Sequence, residues 1–270
     1  MNRLTFSGIA FAAMVFLAAG GVCQAAPLSV VLGSDYLASI PGASSFPGLG
    51  TLNGVPMGGA LGNTDTIIQR QADAVFPGAP SSTAPSIRAV NTTLQLVTVA
   101  PVNFGGNGLD NYFMTLQSAR GGPDSVGSMT ITLGALDDGT AGGPEGTFTF
   151  FFDVFFDIRK GSLAGAIVFS SDLVATMSST SWDATNLPGA VIVSGLVGNQ
   201  NADLHTNKAA GQMDFFPVGA WSYTYPNGAV HALNGASATP TTVPEPASLT
   251  LLGTGLVVGA RRWRKSRLNG

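Results

Sequence analysis

The sequence contains very few of the side chains on which metal sites and many catalytic sites depend. Its 270 residues include one cysteine and two histidines, and charged residues make up 10% of the chain. One cysteine cannot form a disulfide within the chain or the paired thiolates of a structural zinc site. His205 and His231 lie on separate segments without an HExxH pattern, and no GxSxG nucleophile motif occurs. We therefore expect no zinc site and no enzymatic activity.

Positive charge is also scarce between residues 26 and 243. This stretch has 14 Asp and Glu residues but only 6 Lys and Arg residues, so its formal charge is −8, whereas the whole chain carries −3. The other basic residues lie near the two ends of the chain. Binding to nucleic acid requires a basic face, and we expect no nucleic-acid partner.

No apolar run reaches the ~20 residues that an α-helix needs to cross a bilayer. The first run, Ile9–Ala19, follows Arg3 and precedes Cys23-Gln24-Ala25, which has the small-x-small pattern of a signal-peptidase site. We predict a signal peptide over residues 1–25, cleaved after Ala25, and hence export. Cleavage there would also remove Cys23, the lone cysteine.

The second apolar run, Leu249–Ala260, would form a helix about 18 Å long, which is shorter than a bilayer core of about 30 Å. Two short motifs flank this run. They are the tetrapeptide Val243, Pro244, Glu245 and Pro246 before it, and the basic residues Arg261, Arg262, Arg264 and Lys265 after it. Basic residues beside an apolar segment stay on the cytoplasmic side of the membrane, and the prolines keep the preceding peptide out of a helix. We predict a short transmembrane helix with a cytoplasmic tail.

This order of elements over residues 243–270 resembles the PEP-CTERM sorting signal of exported bacterial proteins. The resemblance implies recognition by an exosortase, a membrane protease that removes the tail and releases or transfers the protein to the cell surface. It also implies signal peptidase, the export machinery and, transiently, the inner membrane as partners. Such proteins are associated with bacteria that make extracellular polysaccharide, which makes that polymer a further candidate partner. The alternative is a permanent C-terminal anchor.

Alternating apolar and polar residues, the pattern of β-strands, dominate the centre of the chain. The stretches GTFTFFFDVFFDIRKG and GSMTITLG each place one alternate set on a single face. The first set is Phe148, Phe150, Phe152, Val154, Phe156 and Ile158, and the second is Met129, Ile131 and Leu133. Further candidate strands are Thr93–Val99, Tyr112–Ser118, Gly165–Ser170, Ala190–Leu196 and Trp221–Tyr225. In YTYPNGAVHAL, Asn227-Gly228 predicts a hairpin with a type I′ turn.

We predict an all-β exported domain over residues 26–238, built as an antiparallel, jelly-roll-like β-sandwich. Residues 239–270 would then hold the linker and the sorting signal. Within the domain, the segment from Ser39 to Pro85 is rich in Gly, Pro and Ser, which predicts long loops or loosely ordered chain.

Carboxylates give one candidate site. Asp153 and Asp157 share a strand face, but four residues of strand place them about 13 Å apart, too far for a single calcium ion or a retaining glycosidase pair. Asp137, Asp138 and Glu145 lie in one turn-rich stretch and could hold calcium. Calcium is the one candidate cofactor, and a solvated acidic loop is the favoured alternative.

Aromatic side chains give another candidate site, a sugar-binding platform. Phe151 and Phe155 lie on the polar face of the long strand, and aromatic faces stack on the apolar faces of sugars; packing under a covering loop is the alternative. Trp182, Trp221 and the tyrosines at 223 and 225 are equally ambiguous. The favoured hypothesis is a non-enzymatic surface or matrix protein. The alternatives are a carbohydrate-binding module and a secreted polysaccharide hydrolase.

Overall fold

The computed structural model describes residues 27–77, 82–134, 145–177, 179–184 and 208–234. This part of the chain forms strands and two short 3₁₀ helices, Gly59–Leu61 and Gln117–Arg120. The strands are β1 Ser29–Val30, β2 Gly33–Ser39, β3 Ser44–Phe46, β4 Gly50–Gly54, β5 Thr66–Arg70, β6 Ala74–Val75, β7 Ser82–Thr83, β8 Ile87–Thr98, β9 Val102–Asn103, β10 Leu109–Asp110, β11 Tyr112–Leu116, β12 Ser125–Leu133, β13 Glu145–Lys160, β14 Ile167–Met177, β15 Thr180–Asp183, β16 Gln212–Met213, β17 Phe216–Pro217, β18 Ala220–Thr224 and β19 Val230–Asn234. Within these ranges no helix is long and apolar enough to span a membrane.

The predicted all-β class is confirmed. The strands pair antiparallel, apart from the two-residue parallel contact between β1 and β16. The predicted signal peptide and the predicted C-terminal helix lie outside the described residues.

The long strand β13 is the centre of the fold. On one side it pairs with β12 and β11, which follow one another along its length, and on the other it pairs with β15 and β14. Its predicted inward face is confirmed, because Phe148, Phe150, Phe152, Val154, Phe156 and Ile158 are all at most 4% exposed. The predicted inward residues of β12 are buried as well. Period-two alternation therefore identified the side of these strands that faces the core.

The strand pairings form a closed ring. They run from β8 through β12, β13, β14, β18, β19, β2 and β5 and return to β8. Two joins are short, since β14 meets β18 only at Thr176–Met177, and β19 meets β2 only at Leu233 and Asn234. Most of the buried apolar side chains in the described ranges form one hydrophobic cluster. At its aromatic centre, the ring centroid of Phe150 lies 5.2 Å from that of Trp221 and 4.8 Å from that of Tyr223.

The prediction of loops across Ser39–Pro85 is wrong where the structure describes this segment. Strands β3 and β4 form a hairpin that pairs with β19 on one side and with β8 on the other. Phe46 and Leu52 are buried, and Gly48 turns the chain between them with a φ of 82°. Glycine and proline here shape tight turns between strands that are too short to give a periodic signal.

The hairpin after β18 is confirmed, but its turn is not the predicted two-residue type I′. The amide of Gly228 donates to the carbonyl of Tyr225 (2.9 Å), and the amide of Tyr225 donates to the carbonyl of Ala229 (3.0 Å). Three residues therefore form the loop. Pro226 occupies the second position of the turn, where its fixed φ near −65° is incompatible with the positive φ of type I′. Gly228 takes the left-handed conformation, with a φ of 83°.

Strand ends differ from the prediction by several residues. β8 begins at Ile87 rather than Thr93, β11 ends at Leu116, and β14 runs on to Met177. The predicted strand Ala190–Leu196 lies outside the described residues.

Candidate functional site

The residues predicted for sorting all lie outside the described part of the chain. They are Ala25, Val243, Pro244, Glu245, Pro246, Arg261, Arg262, Arg264 and Lys265. Asp137 and Asp138, the predicted calcium ligands, lie outside it too, as does His205. The described residues contain no group of three His, Cys, Asp or Glu side chains that could hold a metal.

The aromatic residues proposed as a sugar platform are mostly in the core. Trp182, Trp221 and Tyr223 are 1%, 7% and 2% exposed, and Tyr225 is partly buried against the hydrophobic cluster. Trp182 stacks on Phe215 at a centroid distance of 5.4 Å and donates its indole N–H to the carbonyl of Thr132. Of the two outward phenylalanines on β13, Phe151 is 45% exposed and Phe155 is half-buried. A single exposed ring does not form a platform.

His231 belongs to a buried polar network at the short join between β19 and β2. The hydroxyl of Ser39 donates to Asp65 Oδ1 (2.9 Å) and lies 3.0 Å from His231 Nε2. Asp65 also accepts from the Ser39 amide (2.7 Å) and from the Thr66 hydroxyl (2.8 Å). His231 is only 3% exposed. His231 is covered because β19 pairs with β2, a strand far away in the sequence.

This network has the residue types of a catalytic triad but the wrong order. A nucleophilic serine needs the histidine between it and the carboxylate, whereas here the serine contacts both partners. Burial lowers the pKa of His231 to about 3, so the imidazole is neutral and a poor base. Burial raises the pKa of Asp65 to about 6, against the opposing effect of its hydrogen bonds from Ser39 and Thr66. The network joins strands and does not activate a nucleophile.

A polar row crosses the outer face of the sheet on four neighbouring strands. Gln95 of β8 pairs with Thr115 of β11, Thr115 pairs with Asp157 of β13, and Asp157 pairs with Ser170 of β14. Paired residues on adjacent strands point to the same face. The outward direction of Asp157 matches the sequence alternation, yet its side chain is fully buried.

Two arginines cover Asp157. Arg120 donates from Nε to Oδ2 (2.6 Å) and from Nη2 to Oδ1 (3.1 Å), and Arg159 donates from Nη2 to Oδ2 (3.3 Å). The Ser170 hydroxyl adds a fourth bond, to Oδ1 (2.6 Å). Burial alone would raise the pKa of Asp157, but the bonds from Arg120 and Ser170 and the charges of both arginines together hold it below its ordinary value. Asp157 is therefore a carboxylate, and the same contacts raise the pKa of Arg120.

These arginines form one wall of a cleft of about 460 Å³, which we call the arginine cleft. Its polar lining is Thr92, Thr93, Gln95, Thr115, Arg120 and Arg159, and Leu116, Ala119, Leu163 and Ala164 add apolar surface. A bulge in β8 contributes to this lining. Ile67 and Ile68 pair with Thr93 and Asn91, which leaves Thr92 without a partner in β5. Thr92 lacks only a paired residue there, since its hydroxyl donates to the carbonyl of Ile67 in β5 (3.3 Å). Two consecutive threonines consequently lie on the solvent side, between buried Asn91 and Leu94.

Sequence reasoning missed this cleft because it considered Asp153 and Asp157 as a pair of acids. The structure does not bring them into one site: Asp153 lies between Val126 and Val174 on the neighbouring strands. One signal was available. Arg159 follows Asp157 at a spacing of two, which places both on the same strand face. The contribution of Arg120, 37 residues before Asp157, was not visible in any local pattern.

A comparison with known families identifies the C-terminal segment. The family model described as the PEP-CTERM protein-sorting motif matches residues 242–265. The chain carries a PEP-CTERM sorting motif. The matched interval includes the Val243–Pro246 tetrapeptide and the basic residues Arg261–Lys265. No curated protein and no solved structure matches the chain.

The PEP-CTERM motif implies export and membrane-associated sorting by an exosortase. It begins eight residues after Asn234, where β19 ends. The arginine cleft lies in the β domain, outside the matched residues, so the PEP-CTERM match assigns it no role.

Proposed function

We propose that this protein is a non-enzymatic surface or matrix protein, exported behind a cleaved signal peptide and freed from the inner membrane by an exosortase. The match of residues 242–265 to the PEP-CTERM motif carries the proposal. Signal peptidase would cut after Ala25, the helix over Leu249–Ala260 would hold the chain in the inner membrane, and the five basic residues after it would remain in the cytoplasm. The delivered domain would be a closed, jelly-roll-like sandwich.

The distance between the domain and the motif fits this role. Ten residues from Asn234 to Pro244 span at most about 36 Å when fully extended, at up to about 3.6 Å per residue. The folded domain would therefore sit directly outside the membrane while the extended Val243–Pro246 peptide reaches the protease. Pro244 and Pro246 prevent the membrane helix from extending into that peptide.

Two features of the described residues support a non-enzymatic role. His231 is buried and neutral, and Asp157 is held by two arginines, so neither is available to activate water. A polysaccharide hydrolase of the usual kind needs two carboxylates about 5–9 Å apart in its cleft. Among the described residues that line the arginine cleft there is no carboxylate.

The proposed sorting is tested by following the protein in its native host, with and without exosortase. We expect wild type to reach the surface or medium without its tail, and Glu245→Ala to accumulate in the membrane fraction at full length. Ser237→Ala, just before the linker and outside the matched motif, is the matched control and should be sorted like wild type. Equal processing of Glu245→Ala and wild type, or normal processing without exosortase, would contradict the proposal.

A further inference from the structure

We propose that the arginine cleft binds the carboxylate of an acidic saccharide, with Arg120 as the anion-binding residue. The choice of a saccharide as occupant rests on the proposed extracellular delivery. The preference for an anion rests on the contacts of the cleft itself.

Charge is the first argument. Asp157 accepts four hydrogen bonds, which fill the roughly four lone-pair positions of a carboxylate. One negative carboxylate thus faces two positive guanidinium groups. A net charge of one positive unit therefore remains at the wall of the cleft. The side chain of Arg120 is 41% exposed, and its Nη1 has no partner among the described residues. In a domain with an excess of acidic residues, this is a local site for an anion.

Rigidity is the second argument. Arg120 is the last residue of the 3₁₀ helix, which Gly121 ends with a φ of 81°. Gln117 anchors this helix by donating from Nε2 to the carbonyls of Phe156 (3.1 Å) and Ser171 (3.2 Å). Arg120 is further fixed by its two bonds to Asp157. An arginine held in place before binding loses little side-chain freedom when a ligand arrives, which favours affinity.

The remaining lining identifies the class of anion. Thr92, Thr93 and Gln95 offer hydroxyl and amide groups, which are complementary to sugar hydroxyls. None of the described lining residues is aromatic, so the cleft lacks the stacking surface that a neutral sugar would use. Its volume of about 460 Å³ falls within the range of about 300–1,000 Å³ for small-molecule sites. Recognition by charge and hydrogen bonds favours a uronate over a neutral sugar.

The test is a calorimetric titration of protein purified from its host with trigalacturonic acid and, in parallel, with neutral maltotriose. We expect binding of trigalacturonic acid only, weakened by added salt. Arg120→Gln should weaken it at least tenfold, because the variant removes the charged hydrogen bond between Arg120 and the ligand carboxylate. The matched control is Arg88→Gln, which removes the same charge from an exposed position on β8 that does not line the cleft and should bind like wild type.

A second variant guards against misfolding of Arg120→Gln. Ala119 is exposed and lines the cleft, so Ala119→Glu adds a repelling charge without disturbing the core and should also weaken binding. Absence of trigalacturonic acid binding to wild type, equal binding of maltotriose, or equal weakening by Arg88→Gln would overturn the proposal. If inorganic phosphate at millimolar concentration bound the cleft as well as trigalacturonic acid does, the cleft would be a site for small anions. That result would overturn the proposal that its ligand is a saccharide. If the saccharide proposal fails but the C-terminal segment is still processed normally, the proposed sorting function is unaffected. If trigalacturonic acid binds but the C-terminal segment is not processed, only the proposed sorting function is refuted.

Discussion

Replacing Asp65 by asparagine tests the buried network at the join between β19 and β2. Burial raises the pKa of Asp65 from 3.8 to about 6 in the folded protein. The stability contributed by its protonated form is fully present below pH 3.8 and is lost as the pH rises through about 6. A pKa difference of about two units corresponds to about 3 kcal/mol. Wild type thus bears this cost at neutral pH, and Asp65→Asn does not.

The measured quantity is the difference in free energy of unfolding between Asp65→Asn and wild type, from urea denaturation at pH 4 and pH 7. The contribution of His231, whose folded pKa is about 3, is present in both proteins and cancels. We expect the difference to move by about 2.5 kcal/mol in favour of the variant from pH 4 to pH 7. The absolute difference at either pH also includes the rearranged hydrogen bonds, which is why the change with pH is the test.

Thr66→Val is the matched control, because it keeps the carboxylate and removes one hydroxyl that donates to it. That bond favours the charged form, so this variant should lose stability relative to wild type as the pH rises from 4 to 7. A pH-independent difference for Asp65→Asn, or one that moves against the variant, would refute the reasoning. It would mean that hydrogen bonding outweighs burial at Asp65.

Two further predictions concern the long strand β13 and its neighbour β12. Phe150→Ala removes a buried ring from the aromatic centre and should cost about 3–5 kcal/mol in urea denaturation, whereas Phe151→Ala, next to it on the exposed face, should cost less than about 1 kcal/mol; similar losses for both would contradict the assigned faces. Gly127→Ala would place a Cβ 1.8 Å from the carbonyl oxygen of Phe151, which forces β12 away from β13. We expect a loss of at least about 3 kcal/mol or no soluble protein, and an unchanged melting temperature would show that the two strands do not pack in this register.

The elements that the sequence predicted well are those with long, regular alternation. β13 has 16 residues and β12 has nine, and each shows its buried face through period two. The turn after β18 was half-predicted: Asn227-Gly228 marked a hairpin, but Pro226 selects a three-residue loop. The hairpin of β3 and β4 was missed because its strands have three and five residues, too few for periodicity to appear among glycines.

Closure of the strand ring and the arginine cleft both depend on contacts that no local pattern encodes. β2 and β19 lie near opposite ends of the domain sequence, yet they pair at Ser39 and Leu233. The cleft brings Arg120 from a 3₁₀ helix onto Asp157 of β13, and the alternation of β13 alone predicts an exposed acid there. The sorting motif, in contrast, is one contiguous stretch of chain, so the order of its parts is visible in the sequence.

The measurement that tests the central claim most directly is the intact mass of the protein recovered from the envelope and the medium of its native host. We predict a mass that begins at Ala26 and ends close to Val243–Pro246, with any additional mass belonging to a group attached during transfer. A product that retains Leu249–Gly270 in the membrane fraction of a host with an active exosortase would contradict the account. It would make the C-terminal segment a permanent anchor.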